Sequence, residues 1–152
     1  MARQRRLTRR AALAGGACAV AVAASRPSIA AGDDRDAAIR AFAGEAEIRA
    51  GRVSLNLPPL VENGNAAPLS VAVESPMTEA DHVRRIAIFN ERNPQPNVLT
   101  ADLGPRAGRA TITTRIRLAT SQRITAVAEM SDGTFWSDTA DVIVTLAACV
   151  EG

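Results

Sequence analysis

The chain has 152 residues, with 18 basic and 16 acidic side chains and a formal net charge of +2. Six of the basic residues and none of the acidic ones lie in residues 1–30, so the remainder has 12 basic and 16 acidic residues and a net charge of −4. Nucleic-acid binding needs a basic surface on the folded domain, and this distribution argues against it.

The N-terminus has the pattern of an export signal. Several arginines precede the uncharged apolar stretch Ala11–Ala24, and Ser28-Ile29-Ala30 offers small residues where a signal peptidase reads. We therefore predict a signal peptide over residues 1–30. The arginine pair in Thr8-Arg9-Arg10-Ala11-Ala12-Leu13 favours the twin-arginine pathway over an ordinary Sec signal. The apolar stretch is shorter than the roughly 20 residues of a spanning helix. We expect a periplasmic mature protein with no membrane anchor.

The first predicted element of the mature chain is a short helix. Residues 31–152 number 122, which suits one domain. Three aspartates at positions 33, 34 and 36 suit a helix N-terminus, and the loosely spaced apolar residues that follow predict a helix over residues 33–45. Gly44 and Gly51 close this segment.

Everything after Gly51 predicts β-structure. Alternating or β-branched segments predict strands at residues 53–57, 69–74, 83–89, 98–103, 110–119, 124–130, 134–137 and 141–146. Turns are predicted at residues 62–65 and 131–133, and a rigid loop at residues 93–97. Seven or eight short strands with regular turn signals are typical of an all-β sandwich. No helices alternate with the strands, so a parallel α/β sheet is not expected.

One cysteine remains after removal of the predicted signal, which contains Cys18. Cys149 directly follows the last predicted strand and lies three residues before the C-terminus. A single thiol in an oxidising compartment cannot form an internal disulfide. It is left as a free reactive thiol, an intermolecular bridge or the carrier of a covalent adduct, and it is the main candidate functional residue.

Four segments of the mature chain match motifs of one known protein family. Residues 57–69, LPPLVENGNAAPL, are similar to a family region with the pattern LP-x-x-A-E-N-G-x-x-V-P. The segments FNERNPQP (89–96), TTRIRLA (113–119) and VAEMSDG (127–133) resemble three further family motifs. The chain therefore resembles the SoxY family of sulfur-carrying proteins, and the resemblance covers nearly the whole mature chain.

The resemblance implies a fold and a function. The fold is an immunoglobulin-like β-sandwich, which this chain would combine with its short N-terminal helix and a C-terminal cysteine-bearing arm. The function is that of a periplasmic carrier in thiosulfate oxidation, with thiosulfate-derived sulfur held on Cys149. The implied partners are a SoxZ-like subunit in a heterodimer and the sulfur-oxidising enzymes that service the arm. The carrier itself would be no enzyme and would need no cofactor or metal.

The arm departs from the family pattern. The family ends in Gly-Gly-Cys-Gly-Gly, whereas this chain has Ala147, Ala148, Cys149, Val150, Glu151 and Gly152, which is similar to a SoxY-related branch that ends in Ala-Ala-Cys-Ile-Glu. We expect the sandwich domain over residues 31–146 and the arm over residues 147–152. The acidic residue and the terminal carboxylate favour thiol over thiolate and repel anionic cargo. We therefore hypothesise that the arm fits a different enzyme partner, and different cargo, from the glycine arm.

An alternative to the carrier is a sandwich binding module tethered to a partner by a mixed disulfide at Cys149. An enzyme acting alone is not expected, because no acid/base set accompanies the thiol and a terminal tail is a poor platform for catalysis. His82, with Asp81 and Met77 nearby, offers too few ligands for a metal site, and a surface histidine is the simpler interpretation.

Three smaller features remain open between packing and partner binding. We expect one of Phe135 and Trp136 to pack in the core. Arg115 and Arg117 alternate outward on one strand, as a solvated face or, by resemblance, near the partner subunit. The Asn93–Pro96 loop is interpreted as a rigid corner rather than a docking element.

Overall fold

The computed structural model describes residues 31–148. The predicted signal peptide, residues 1–30, and residues 149–152 of the predicted arm lie outside this range. The chain begins with α1 (Ala31–Ala43), which has acidic residues in its first turn and Arg40 in its last, as the helix dipole favours. The helix ends at Gly44, whose φ of +64° places it in the left-handed region and whose N–H donates to the Arg40 carbonyl oxygen. The predicted helix is confirmed, with its bounds shifted by two residues.

Nine strands follow α1 and hold about half of the described residues. They are β1 (Ile48–Ala50), β2 (Val53–Asn56), β3 (Leu60–Asn63), β4 (Ala67–Val73), β5 (Val83–Asn90), β6 (Asn97–Asp102), β7 (Ala110–Ile116), β8 (Gln122–Met130) and β9 (Phe135–Leu146). Short 3₁₀ turns lie at Gly64–Ala66 and Pro105–Ala107. The predicted all-β class is confirmed. No helix in residues 31–148 combines the length and the apolar character that crossing a membrane requires.

The strands form two sheets. The smaller sheet has the order β2-β4-β7, and the larger has the order β1-β9-β8-β5-β6 with β3 added beside the end of β9. Neighbours within these sheets are antiparallel except at β9. There β1 pairs in parallel with the first residues of the strand, and β3 pairs in parallel with the last. β8 pairs with residues 135–142 of β9, while β1 and β3 pair with residues 135–137 and 143–146 on its other edge.

Side chains from both sheets pack into one core. The smaller sheet contributes Val71 on β4, and the larger sheet contributes Ile88 and Ile124, all fully buried or nearly so. Alternate residues of β4 are buried, as expected for a strand with one face against a core.

A second, smaller cluster holds α1 against the outer face of the larger sheet. The Phe42 ring makes edge-to-face contacts with Phe89 and Phe135, with centroids 6.0 Å apart in each pair. The Arg85 guanidinium lies over the Phe42 ring at 4.6 Å and forms an ion pair with Glu129 on β8. Phe135 is the buried member of the aromatic pair predicted from the sequence, and Trp136 is partly buried.

Three strand predictions need correction. Residues 134–137 and 141–146 were expected as separate strands, but Phe135–Leu146 is continuous because β8 pairs with it from Glu129 to Gln122. A turn was predicted at residues 62–65, but residues 62 and 63 belong to β3, a strand that was not predicted, and the turn lies at Gly64–Ala66. Strand β1 was also missed. Both short strands owe their conformation to pairing with β9, which is a tertiary effect that local pattern does not reveal.

Candidate carrier site at the end of the last strand

The structure describes the root of the predicted carrier site. Cys149, Val150, Glu151 and Gly152 lie outside residues 31–148, so the predictions about their roles stay predictions. Of the two arm residues inside this range, Ala147 is exposed and Ala148 is buried, with 6% of its surface accessible. The described part of the site consists of the end of β9, Ala147, Ala148 and the segments that contact them.

The last residues of β9 are held by β3. Ile143 pairs with Leu60 and Leu146 pairs with Asn63 in the parallel ladder. The Thr145 hydroxyl donates to the Glu62 carbonyl oxygen at 3.1 Å. Outside the ladder, the Val144 N–H donates to the Ser121 hydroxyl at 2.8 Å. The last residues of β9 are thus bonded to β3 and to Ser121 of the same chain.

Beyond the strand, one main-chain hydrogen bond joins Ala148 to Leu118, and a second joins Leu118 to Gly64. The Ala148 N–H donates to the carbonyl oxygen of Leu118 at 3.0 Å, and the Leu118 N–H donates to the carbonyl oxygen of Gly64 at 2.8 Å. Leu118 is fully buried and belongs to the main core. The residue before Cys149 is consequently bonded to a core residue.

Gly64 lies where a side chain would not fit. A Cβ atom placed on it would lie 2.5 Å from the Leu118 carbonyl oxygen, 2.9 Å from the Ala148 amide nitrogen and 3.0 Å from a methyl group of Val144. The first two distances are shorter than Cβ atoms accept, and both involve main-chain atoms that cannot rotate away. The glycine therefore allows three main-chain segments to meet at Ala148.

Asn93 braces the Leu118 segment from the other side. Its Nδ2 donates to the Arg117 carbonyl oxygen at 2.8 Å, and its Oδ1 accepts from the Ala119 N–H at 3.0 Å. The same oxygen accepts from Gln122 Nε2 at 2.8 Å. One amide side chain thus bonds to the residues before and after Leu118, so the peptide groups around Leu118 are fixed.

The Asn93–Pro96 loop is itself tied down. Asn90, which is 1% exposed, donates from Nδ2 to the Gln95 carbonyl oxygen and accepts from the Asn93 N–H. The loop borders a surface cavity of about 360 Å³ that Arg117 also lines. Its internal bonds make it a rigid corner, as interpreted from the sequence, and Asn93 at its start bonds to the residues on both sides of Leu118.

Three large apolar side chains on β3 and β9 are exposed. Leu60 is 54% exposed, Ile143 is 61% exposed and Leu146 is 63% exposed. Leu60 and Ile143 are partners across the β3–β9 pair, and Leu146 is the last strand residue before the arm. We call these three residues the apolar rim.

His82 belongs to a separate turn. Its Nδ1 lies 3.0 Å from the Thr78 carbonyl oxygen, and its N–H donates to the Ser131 hydroxyl. Asp81 forms an ion pair with Arg52 at 3.4 Å. Among residues 31–148, no group of three or more His, Cys, Asp or Glu side chains is placed to hold a metal ion.

The sequence did not predict that Gly64, Asn93 and Leu118 would meet. Each had been read locally, as part of a turn, a corner and a strand. A signal was nevertheless present, because the three residues fall in three of the four segments that carry the family resemblance. Only the fold shows that Gly64 and Leu118 lie against Ala148 and that Asn93 bonds to both neighbours of Leu118.

The comparisons with known proteins bear on this geometry. A family model for the sulfur oxidation protein SoxY matches residues 39–149, so the match covers most of the chain and ends at Cys149. A two-sheet domain with Cys149 three residues beyond β9 is thus matched to a class of sulfur-oxidation carrier proteins. The chain belongs to the SoxY family. A comparison with curated proteins gives no match.

Solved structures agree with this assignment. The sulfur carrier protein SoxY from Chlorobium limicola f thiosulfatophilum is 27% identical, with a TM-score of 0.63 over 74% of this chain and 97% of that one. A superoxide reductase (neelaredoxin) from Ignicoccus hospitalis is 17% identical, with a TM-score of 0.55 over 62% of this chain and 80% of that one. A superoxide reductase from Nanoarchaeum equitans is 8% identical, with a TM-score of 0.54 over 63% of this chain and 100% of that one. The two reductases share the fold alone.

Proposed function

We propose that this chain is a periplasmic carrier that holds a thiosulfate-derived sulfur group covalently on Cys149 and presents it to partner enzymes. The observation that carries the proposal is the SoxY family match, which runs through the domain and ends at Cys149. The two packed sheets are, in this proposal, an immunoglobulin-like sandwich that serves as the body of the carrier. The protein binds and presents the substrate, and its partners perform the chemistry.

The chemistry suits a cysteine. Joining the Cys149 thiol to the outer sulfur of thiosulfate forms a sulfur–sulfur bond and releases one proton and two electrons. A partner oxidase must accept those two electrons. The loaded residue is then a cysteine S-thiosulfonate. The bond between the Cys149 sulfur and the cargo is broken again when a thiolate of a partner attacks the Cys149 sulfur, so that thiosulfate leaves and a mixed disulfide forms in its place.

The proposal includes export and a partner subunit. Residues 1–30 have the composition of a twin-arginine signal, which delivers a folded protein to the periplasm. The partner is a SoxZ-like subunit, and the enzymes that service the cysteine bind at the arm end of the body. The apolar rim supports this last point, because exposed apolar groups near a reactive residue favour protein contact.

The arm is expected to select its enzyme partner. Alanine and valine restrict the chain more than the family's glycines do. Glu151 places negative charge near the thiol and opposes anionic cargo. We infer that the servicing enzyme supplies positive charge that compensates Glu151, a residue that the glycine arm does not have.

Intact-mass analysis tests the proposal. The protein is purified from the periplasm of cells grown on thiosulfate, without reductant, alongside a Cys149→Ser variant. The expected species has a neutral mass greater than that of the free thiol by one S2O3 group, is absent from the variant and is removed by reductant. A non-reducing gel separates the tethered-module alternative, in which Cys149 carries a whole second protein. Unmodified Cys149 in growing cells contradicts the carrier function.

A further inference from the structure

We propose that Gly64, Asn93 and Leu118 form a clamp that fixes the chain at Ala148, so that Cys149 is presented from a fixed point and not from a hinge at the end of β9. We call these three residues the arm clamp. The inference rests on the proposed carrier function for its biological meaning. The clamp itself stands on contacts within residues 31–148.

The first step is the pair of main-chain bonds. Leu118 accepts from Ala148 through its carbonyl oxygen and donates to Gly64 through its N–H. Leu118 is fully buried and Ala148 is 6% exposed, so water has little access to compete for these groups. Releasing Ala148 would leave the Leu118 carbonyl oxygen without this partner in a buried position, which is costly.

The second step is the close approach at Gly64. This glycine is not among the residues with positive φ, so its backbone conformation is open to other residue types. The constraint is space, because any side chain would strike the Leu118 carbonyl oxygen and the Ala148 nitrogen. A glycine at position 64 is therefore required for Ala148 to reach Leu118.

The third step is the brace by Asn93. Its side chain bonds to Arg117 and Ala119, the neighbours of Leu118 on both sides. A main-chain segment held at both ends presents its carbonyl oxygen in one direction. Asn93 is therefore a positioning residue, which acts on the arm through Leu118 without touching Ala148.

The clamp shortens the free arm. Cys149 is joined to Ala148 by one peptide bond, and consecutive Cα atoms are about 3.8 Å apart. A hinge at Leu146 would instead allow roughly 10 Å of main chain before the cysteine, at about 3.3 Å per residue. A partner enzyme must accordingly bring its active site close to the body of the carrier, beside the apolar rim.

Amide hydrogen exchange of the full mature protein tests the clamp directly. In the wild type we expect the Ala148 N–H to be protected, and in Gly64→Ala we expect its exchange to be about tenfold faster. Gly104→Ala is the matched control, because Gly104 has extended backbone and no atom within 4 Å of an added Cβ. Amides in the centre of β8 are expected to keep their wild-type rates in both variants.

A second pair of variants decides the matter where Gly64→Ala fails to fold. Asn93→Ala removes the brace and is expected to accelerate exchange at Ala148, whereas Asn97→Ala removes only an exposed contact with Thr100. Exchange at Ala148 as fast as in an unstructured peptide, in the wild type, overturns the inference. So does an unchanged rate in each clamp variant that folds.

The rate of thiol alkylation separates positioning from general stability. The measured quantity is the rate of Cys149 alkylation by a bulky maleimide divided by its rate of alkylation by a small haloacetamide. If Ala148 is fixed, this ratio is expected to be lower for the wild type than for a free cysteine peptide. It is expected to approach the peptide value in Asn93→Ala and to stay at the wild-type value in Asn97→Ala. An unchanged ratio in Asn93→Ala contradicts the clamp. Hydrogen exchange and alkylation are both measured without cargo. The clamp can therefore be confirmed if the carrier proposal fails, and the carrier proposal can be confirmed if the clamp fails.

Discussion

Leu60 and Ile143 lie side by side across the parallel pairing of β3 with β9, and each exposes more than half of its surface. Large aliphatic side chains contribute little to stability in such positions, because they remain in water in the folded protein. In the proposed carrier, they offer exposed apolar surface on the pair of strands that leads to Cys149.

Replacing Leu60 and Ile143 together by threonine should impair partner contact and leave the fold intact. Threonine keeps the preference for strands, so the free energy of unfolding should change by less than about 1 kcal/mol. Thiosulfate consumption by cells carrying the variant should fall about tenfold, as expected when an interface loses two central apolar contacts. Thr111→Ala, an exposed change on β7 of the smaller sheet, is the control. Normal consumption in the double variant would exclude Leu60 and Ile143 as a partner surface.

Cys149→Ser should abolish thiosulfate consumption while the protein still folds and is exported. Serine keeps the size of the side chain, but it cannot form the sulfur–sulfur bond that holds the cargo. Thermal unfolding of the purified variant should match that of the wild type. Residual growth on thiosulfate that depends on the variant protein would show that the thiol is not the attachment point.

Phe42→Ala should loosen α1 from the larger sheet. The ring contacts Phe89, Phe135 and the Arg85 guanidinium, and it is only partly exposed. The expected loss in the free energy of unfolding is about 2 kcal/mol, below that for a fully buried ring. Urea denaturation provides the measurement, and Arg40→Ala on the exposed side of the helix is the control. Equal effects of the two changes would argue against docking through Phe42.

Glu129→Gln should destabilise the domain more than loss of an exposed ion pair does. Glu129 is 7% exposed and meets both Arg84 and Arg85. Both arginines are more than a third exposed, and solvent screens part of the interaction, so a loss of about 1–2 kcal/mol is expected. Asp141→Asn breaks the exposed pair with Arg123 and should change the free energy of unfolding little. Urea denaturation of both variants compares them, and an equal loss would contradict the distinction.

The hairpin between β8 and β9 should respond to acid. The Asp132 carboxylate accepts hydrogen bonds from the hydroxyl and the N–H of Thr134, and these lower its pKa below the ordinary value of 3.8. A carboxyl group whose pKa is lower in the folded state than in the unfolded state stabilises the protein at a pH above the unfolded-state pKa. This stabilisation is lost as the pH falls through the folded-state pKa. The stability difference between wild type and Asp132→Ala should therefore be constant above about pH 5 and shrink below about pH 4. A difference independent of pH between 7 and 2 would be inconsistent with this origin.

Local pattern was sufficient for the elements whose signals are strong. The acidic start of α1 and the alternation of β4 predicted a helix and a half-buried strand, and both are present. The turn at Ser131-Asp132-Gly133 was also found where expected, between β8 and β9. These features depend on residues close together in the sequence, and that is why they were predictable.

Features that depend on distant pairing were not predictable in this way. Strand β3 is four residues long and contains a polar half, and it is a strand because β9 lies beside it. The requirement for glycine at position 64 depends on Leu118 and Ala148, which are 54 and 84 positions further along the chain. Glycine had been assigned to a turn there on composition, whereas its role is to admit the main chain of two other segments.

The pairing of β9 has a mechanical consequence. In the proposed carrier, a partner that pulls on the residues beyond Ala148 would load β9 along its axis, and the hydrogen bonds to β3 and β8 lie across that axis. Such a load shears several hydrogen bonds at once and does not open them one after another. The force would then be spread over the larger sheet.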